Sequence, residues 1–200
     1  MRVSSFIVVF FLFAVSAKAQ QFSSDFWHDG FVVTAKGDTL RGQVKYDMET
    51  NVVLLQNRSF KTLSSFQVFY FNIYDKLVEN YRQFYSIPYR LKYDHETPVF
   101  FELLFEGPLS LLAREAIVQE TVPLGNSVTR GTSVVRDKVA LEFYFVDKDG
   151  DLAAYSGKKS DLYEIMSLKG RKVKEFIKSN SLKTDNARDL VRITAFYNSI

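Results

Sequence analysis

Between residues 31 and 155 apolar side chains recur mainly at every second position; beyond Ser160 they recur at every third or fourth. A period of two sends successive side chains to opposite faces of a strand, whereas a period near 3.6 gathers them on one side of a helix. Strands that come first and helices that come last argue for an α+β domain. The expected architecture is a curved antiparallel β-sheet of about 8–10 short strands, followed by two or three C-terminal helices covering one face or end.

The alternation is clearest over residues 81–94. Odd positions read Tyr81, Gln83, Tyr85, Ile87, Tyr89, Leu91 and Tyr93; even positions read Arg82, Phe84, Ser86, Pro88, Arg90, Lys92 and Asp94. One face is therefore aromatic and the other mostly charged or polar. Residues 66–105 hold 13 aromatics. The aromatic face is expected to form the core under the helices, because a domain without cysteine depends on apolar burial. Pro88 cannot donate to a ladder and marks an edge, a bulge or a break.

Three hairpins are expected. Phe31-Val32-Val33-Thr34 and residues 39–46 flank Lys36-Gly37-Asp38, where Gly and Asp tolerate a tight turn. Residues 99–106 and 109–119 flank Glu106-Gly107-Pro108, with Val99, Phe101, Leu103 and Phe105 on one face. Residues 139–146 and 152–155 flank Asp147-Lys148-Asp149-Gly150. Residues 51–56 form a further apolar run. Residues 63–74 read as one strand, with Phe69, Phe71 and Ile73 on one face and Val68, Tyr70 and Tyr74 on the other. Residues 121–137 hold Pro123, Gly125 and Gly131 without periodicity and read as a long surface loop.

In the helical region Ser160 or Asp161 is expected to cap the first helix, with Glu164 completing a capping box and Leu162, Ile165 and Met166 as its stripe. Gly170 interrupts. Val173, Phe176 and Ile177 stripe a second helix that Asn180 closes in the left-handed conformation. Thr184 or Asp185 caps a third, striped by Leu190, Ile193 and Tyr197.

The N-terminus reads as an address. Arg2 supplies positive charge, residues 6–15 are unbroken apolar, and Ala17-Lys18-Ala19 is a small-x-small cleavage pattern. This order matches a secretory signal peptide cleaved after Ala19, and the apolar run is too short for a membrane anchor. The chain divides into a signal peptide (1–19), a β-rich region (20–157) and a C-terminal helical region (158–200) on the same domain. Cleavage removes Arg2 and Lys18, so the 26 basic residues fall to 24 against 23 acidic ones. A near-neutral exported domain is not a general nucleic-acid binder. The expected location is periplasmic or extracellular.

Several segments carry a resemblance. Phe31-Val32-Val33-Thr34 with Gly37-Asp38-Thr39-Leu40-Arg41-Gly42 resembles the opening of uncharacterised secreted proteins of Bacteroidota-type bacteria. Phe101-Glu102-Leu103-Leu104-Phe105-Glu106-Gly107 with Leu109-Ser110-Leu111-Leu112 resembles their middle hairpin. Phe143-Tyr144-Phe145-Val146 with Asp149-Gly150, Lys158-Lys159-Ser160-Asp161-Leu162, Phe176-Ile177-Lys178-Ser179-Asn180-Ser181-Leu182, and Asp189-Leu190 with Phe196-Tyr197-Asn198 resemble their tail. A doubled tyrosine is expected where Phe196-Tyr197 stands. The resemblance implies a bacterial envelope address and no particular activity, ligand or catalytic residue.

The residues announce no catalytic constellation. The absence of cysteine excludes disulfides, Cys-ligated zinc, iron–sulfur clusters, thiol nucleophiles and a lipoprotein anchor. Asp147-Lys148-Asp149-Gly150-Asp151 starts like a calcium loop, but its sixth and twelfth positions hold Leu152 and Lys158, so it reads as a turn. Ser156-Gly157-Lys158-Lys159 matches Ser-x-x-Lys without the elements that accompany that motif, and reads as a loop before a helix cap. His95 lies between Asp94 and Glu96 and reads as part of a polar turn; His28 has no recognisable partner. Gly30 reads as a backbone hinge. No cofactor is implied. A transmembrane barrel fails because the chain ends in charged helices rather than a closing strand.

Two surfaces remain. Tyr70 and Tyr74 oppose a more apolar face and are candidates for exposed aromatics. Residues 158–183 hold eight basic residues against three acidic ones, among them Lys169, Arg171, Lys172, Lys174 and Lys178. Such a face suits an acidic partner or acidic headgroups, or is simply solvated. The expectation is an exported, non-enzymatic envelope domain that binds a protein partner or an envelope surface and does not span the membrane. The alternative is a carrier of a lipid or other apolar ligand, with Tyr85, Ile87 and Tyr89 facing a void. A hydrolase would need a carboxylate pair or Ser–Lys pair assembled by folding.

Overall fold

The computed structural model describes residues 22–90, 95–123 and 133–200. The expected signal peptide, Leu91, Tyr93 and the centre of the expected loop lie outside them. Ten strands form one antiparallel sheet in the order β10-β9-β8-β7-β6-β5-β1-β2-β3-β4. They are β1 (His28–Thr34), β2 (Thr39–Asp47), β3 (Val52–Gln56), β4 (Phe60–Ser64), β5 (Val68–Asp75), β6 (Asn80–Tyr89), β7 (Thr97–Phe105), β8 (Ser110–Pro123), β9 (Ser133–Val146) and β10 (Leu152–Tyr155). Helices α1 (Lys159–Ile165), α2 (Gly170–Ser179) and α3 (Ala187–Ser199) follow. Among the described residues no helix is long and apolar enough to cross a membrane.

The curvature follows from connectivity. β4 and β5 are separated by four strand spacings, about 19 Å in a flat sheet. The link from Ser64 to Val68 spans at most about 15 Å. The sheet must therefore curl until β4 approaches β5, yet the two do not pair and the curl stays open. Inside it Val32, Val44, Tyr46, Val53, Leu55, Phe71, Ile73, Phe84 and Phe100 form a buried cluster. Gly30 makes this crowding possible: a Cβ there would sit 2.2 Å from the Asn72 carbonyl oxygen on β5.

The same face continues under the helices. Register carries it from Phe84 through Glu102 and Ala113 to Phe143. Leu111, Ala113, Phe143, Phe145 and Tyr155 meet Leu162, Met166, Val173, Ile177, Leu190, Ile193 and Tyr197 there. The region 158–200 thus packs on the sheet rather than standing apart.

Several local expectations are corrected. Residues 63–74 are two strands, broken at 65–67. Opposite the β1 irregularity at Val33/Thr34, Phe69 is the extra residue of a bulge. Val68 therefore points inward, and Phe69 joins Tyr70 outside. A second register shift, between Leu103 and Phe105, sends Phe105 to the helix side, away from Val99, Phe101 and Leu103. The expected loop 121–137 is strand at both of its described ends: β8 runs to Pro123 and β9 begins at Ser133, paired with it.

The largest correction concerns β6. Its aromatic face does not lie under the helices. Arg82 and Phe84 point inward, while Ile87 and Tyr89 pack on the opposite face with Val99, Phe101, Leu112 and Tyr144. Pro88 sits opposite Pro98 near the end of the β6–β7 pairing.

Helix ends also differ. The residue before α1 is Lys158, with no side-chain cap bond. After α2 the left-handed residue is Ser181, at φ 50°, not Asn180. The Leu182 amide then donates back to the Ile177 carbonyl at 3.0 Å. Asn186 caps α3 by accepting from the Asp189 amide at 3.0 Å.

Candidate functional site

The β7–β8 ladder stops at Glu102 and Ala113, although both strands continue. Side chains take the groups that would have extended it. The Phe100 amide donates to Asn51 Oδ1 at 3.3 Å, and the Phe100 carbonyl accepts from Arg114 Nη1 at the same distance. Two residues earlier Pro98 has no N–H to offer. β8 consequently peels away with only β9 beside it, and β9 meets β10 only from Phe143 onward.

The result is a two-stranded arm, residues 114–123 against 133–142. No strand pairs with its outer edges among the described residues. Ile117, Val118, Val134, Val135 and Leu141 are exposed on it. Glu120 bridges to Arg136 at 3.3 Å and to Lys138 at 3.2 Å, but these are solvent-screened pairs. A ribbon of this kind is marginal alone, and unpaired edges are templates for another chain.

The arm overhangs a cleft of about 1230 Å³. Its other wall is the β2–β3 turn, which Asp47 holds by accepting from the Glu49 amide at 2.8 Å and the Thr50 hydroxyl at 2.7 Å. Burial would raise the Asp47 carboxyl, but these bonds and Arg114 hold it below its ordinary value. Asn51 ends the turn at φ 53°. Arg114 ties turn to sheet, donating to the Met48 carbonyl and to Asn51 Oδ1. Carboxylates of Asp25, Asp47, Glu49, Glu115, Asp137 and Glu142 line the cleft against Lys45, Arg90 and Arg114.

Behind this wall one guanidinium joins five strands. Arg82 on β6 donates from Nε and Nη2 to both oxygens of Glu102 on β7, at 2.8 and 2.7 Å. Nη1 reaches Asp75 on β5 and the Tyr46 hydroxyl on β2, each at 3.0 Å; Nη2 also meets Glu115 on β8. All five N–H groups are used. The Tyr46 hydroxyl in turn donates to Glu115 Oε2 at 3.1 Å. Burial pushes the Tyr46 hydroxyl well up, so it stays protonated. Burial opposes the Arg82 charge, but Glu102 and the surrounding groups raise its pKa further. Folding has thus assembled Glu102 and Glu115, a pair no local motif announces, and both are held by Arg82.

The residues singled out from sequence are not brought together. Tyr70 and Tyr74 lie on the outer face of β5, half-buried, against Tyr85 at 5.4 Å and Tyr81 at 5.1 Å. The more exposed aromatics beside them are Phe69 and Tyr81. Arg171, Lys172, Lys174 and Lys178 are exposed on α2, on the opposite face of the sheet. Lys169 is engaged: its Nζ donates to the Tyr197 carbonyl at 2.9 Å, near the end of α3. His28 is buried, with Nε2 at 2.7 Å from the Ser23 carbonyl oxygen. His95 is exposed at the cleft. Asp147 accepts from the Asp149 and Asp151 amides as a turn residue, and Ser156 bonds Asp161. Among the described residues no group of three or more His, Asp or Glu could hold a metal ion.

Sequence reading missed the arm and the Arg82 cluster. The available signal was Phe84, an aromatic between Arg82 and Ser86 on the face read as polar. Comparison of the chain with protein-family models, with curated proteins and with solved structures finds no match.

Proposed function

We propose that the chain is an exported, non-enzymatic binding domain of the bacterial envelope that docks a protein partner at the arm and the cleft beneath it. The observation that carries this reading is the arm itself: two edges that no strand pairs with among the described residues, and exposed aliphatic side chains, on a ribbon that leaves the packed sheet. Isolated ribbons gain most from being covered. Export rests on the charge, apolar run and cleavage pattern of residues 1–19 and on the resemblance to secreted proteins.

The packing favours this over the carrier. Ile87 and Tyr89 pack onto Val99, Phe101 and Tyr144, and the cleft is lined by charge unsuited to an apolar ligand. The Glu102–Glu115 pair favours a structural role over hydrolysis, because Arg82 occupies both carboxylates. An envelope surface would instead meet the exposed lysines of α2.

The test is purification of the exported chain with and without Ile117→Lys and Val135→Lys. Both side chains are exposed, so the fold should survive. The wild type should begin at Gln20 and retain a stoichiometric protein partner that the double variant loses. A chain isolated alone, or a partner indifferent to both changes, contradicts the reading.

A further inference from the structure

We infer that the cleft accepts an extended, basic segment of the partner, which adds as a strand to the open edge of β8. The inference rests on the protein-binding reading and names the chemistry of its ligand.

Phe100 turns both its amide and its carbonyl away from β6, toward β8. Alternation along paired strands then directs the backbone groups of Ala113 toward β7. β8 keeps unbroken register with β9, so Glu115, Ile117 and Gln119 present their amides and carbonyls on that same side. All three line the cleft. The facing β7 edge does not compete, because Asn51 and Arg114 occupy Phe100 and Pro98 lacks a donor.

Size and charge select the occupant. A volume of about 1230 Å³ lies above the range of about 300–1,000 Å³ usual for small-molecule sites. Glu115 is charge-paired with Arg82. The other lining carboxylates, Asp25, Asp47, Glu49, Asp137 and Glu142, outnumber the lining cations Lys45, Arg90 and Arg114. In strand addition the backbone bonds supply affinity, and alternate side chains supply specificity. Lysine or arginine at alternate positions would face those carboxylates.

The experiment uses the purified exported chain, amide-resolved NMR and two probes: a short peptide alternating valine and lysine, and its counterpart with glutamate. The lysine peptide should shift the amides of Glu115, Ile117 and Gln119 and slow their hydrogen exchange; the glutamate peptide should not. Glu49→Lys with Asp137→Lys, both exposed positions, should weaken the lysine peptide by about fivefold and let the glutamate peptide bind. Absence of shifts at millimolar peptide, or equal response to both peptides, overturns the inference. Shifts confined to the outer edge of β9 or to α2 overturn insertion in the cleft. Retention or loss of the whole partner in the purification above judges the protein-binding reading separately.

Discussion

Arg114 Nη1 donates to the Phe100 carbonyl at 3.3 Å, at the point where β8 leaves β7. The same guanidinium reaches the Met48 carbonyl and Asn51 Oδ1, so one side chain parts two strands and fixes the opposite wall of the cleft. Removing it strips a donor from two backbone carbonyls. Arg114→Met should cost about 2–4 kcal/mol in urea unfolding, and Arg114→Lys should recover little, because an ammonium cannot span the fork. A loss under about 0.5 kcal/mol, the scale of an ordinary surface change, would count against this role.

Arg82 is the more central tie. It balances three buried or half-buried carboxylates, and its loss leaves them facing one another. Arg82→Met should destabilise by about 3–5 kcal/mol. Adding Glu102→Gln should recover part of that loss, because the remaining repulsion falls. If the double variant is less stable than the single one, the carboxylates are not the source of the cost.

Acid stability follows from Asp75. Burial would raise its carboxyl, but bonds from Ser23, Arg82 and the Leu77 amide hold it below its ordinary value. A depressed folded-state value means that the stabilisation is whole above the unfolded carboxylate pKa of about 3.9 and is lost as pH falls through the lower folded-state value. The urea midpoint should hold from neutrality to about pH 5 and fall below about pH 4. Asp75→Asn should flatten that acid limb. A decline between neutrality and about pH 5 would point to another titrating group.

Asn198 clamps the end of α3 to the β7–β8 turn. Its Oδ1 accepts from the Leu109 amide at 2.9 Å, and its Nδ2 donates to the Leu109 carbonyl at 2.8 Å. Asn198→Asp keeps the shape and removes the donor, and should cost about 1–3 kcal/mol. Amide exchange should quicken first in α3. Unchanged exchange there would show that apolar packing alone fastens the helix.

The sheet, its hairpins and the three helices were legible because alternation and helical spacing are local signals. Faces were not always legible, because one extra residue inverts every side chain beyond it. Phe69 and Phe105 changed sides for this reason. Arg82 was misread because a charged residue on an alternating strand normally faces water; its acidic partners sit on strands far away in sequence. The cleft was illegible because it exists where a ladder stops, and the stop depends on Asn51 and Arg114 meeting Phe100 across the fold. The basic residues of α2 were legible as a surface, but not their separation from Tyr70 and Tyr74 by the thickness of the sheet.

The most direct test of the binding reading is photo-crosslinking in intact exporting cells, from a photoreactive residue placed at Ile117, Val135, Tyr81 or Lys172. Ile117 and Val135 lie on the arm; Tyr81 and Lys172 are exposed elsewhere. The account predicts one discrete protein adduct from both arm positions and none from the other two. Adducts from Lys172 alone, lipid adducts, or no adduct from the arm would contradict it.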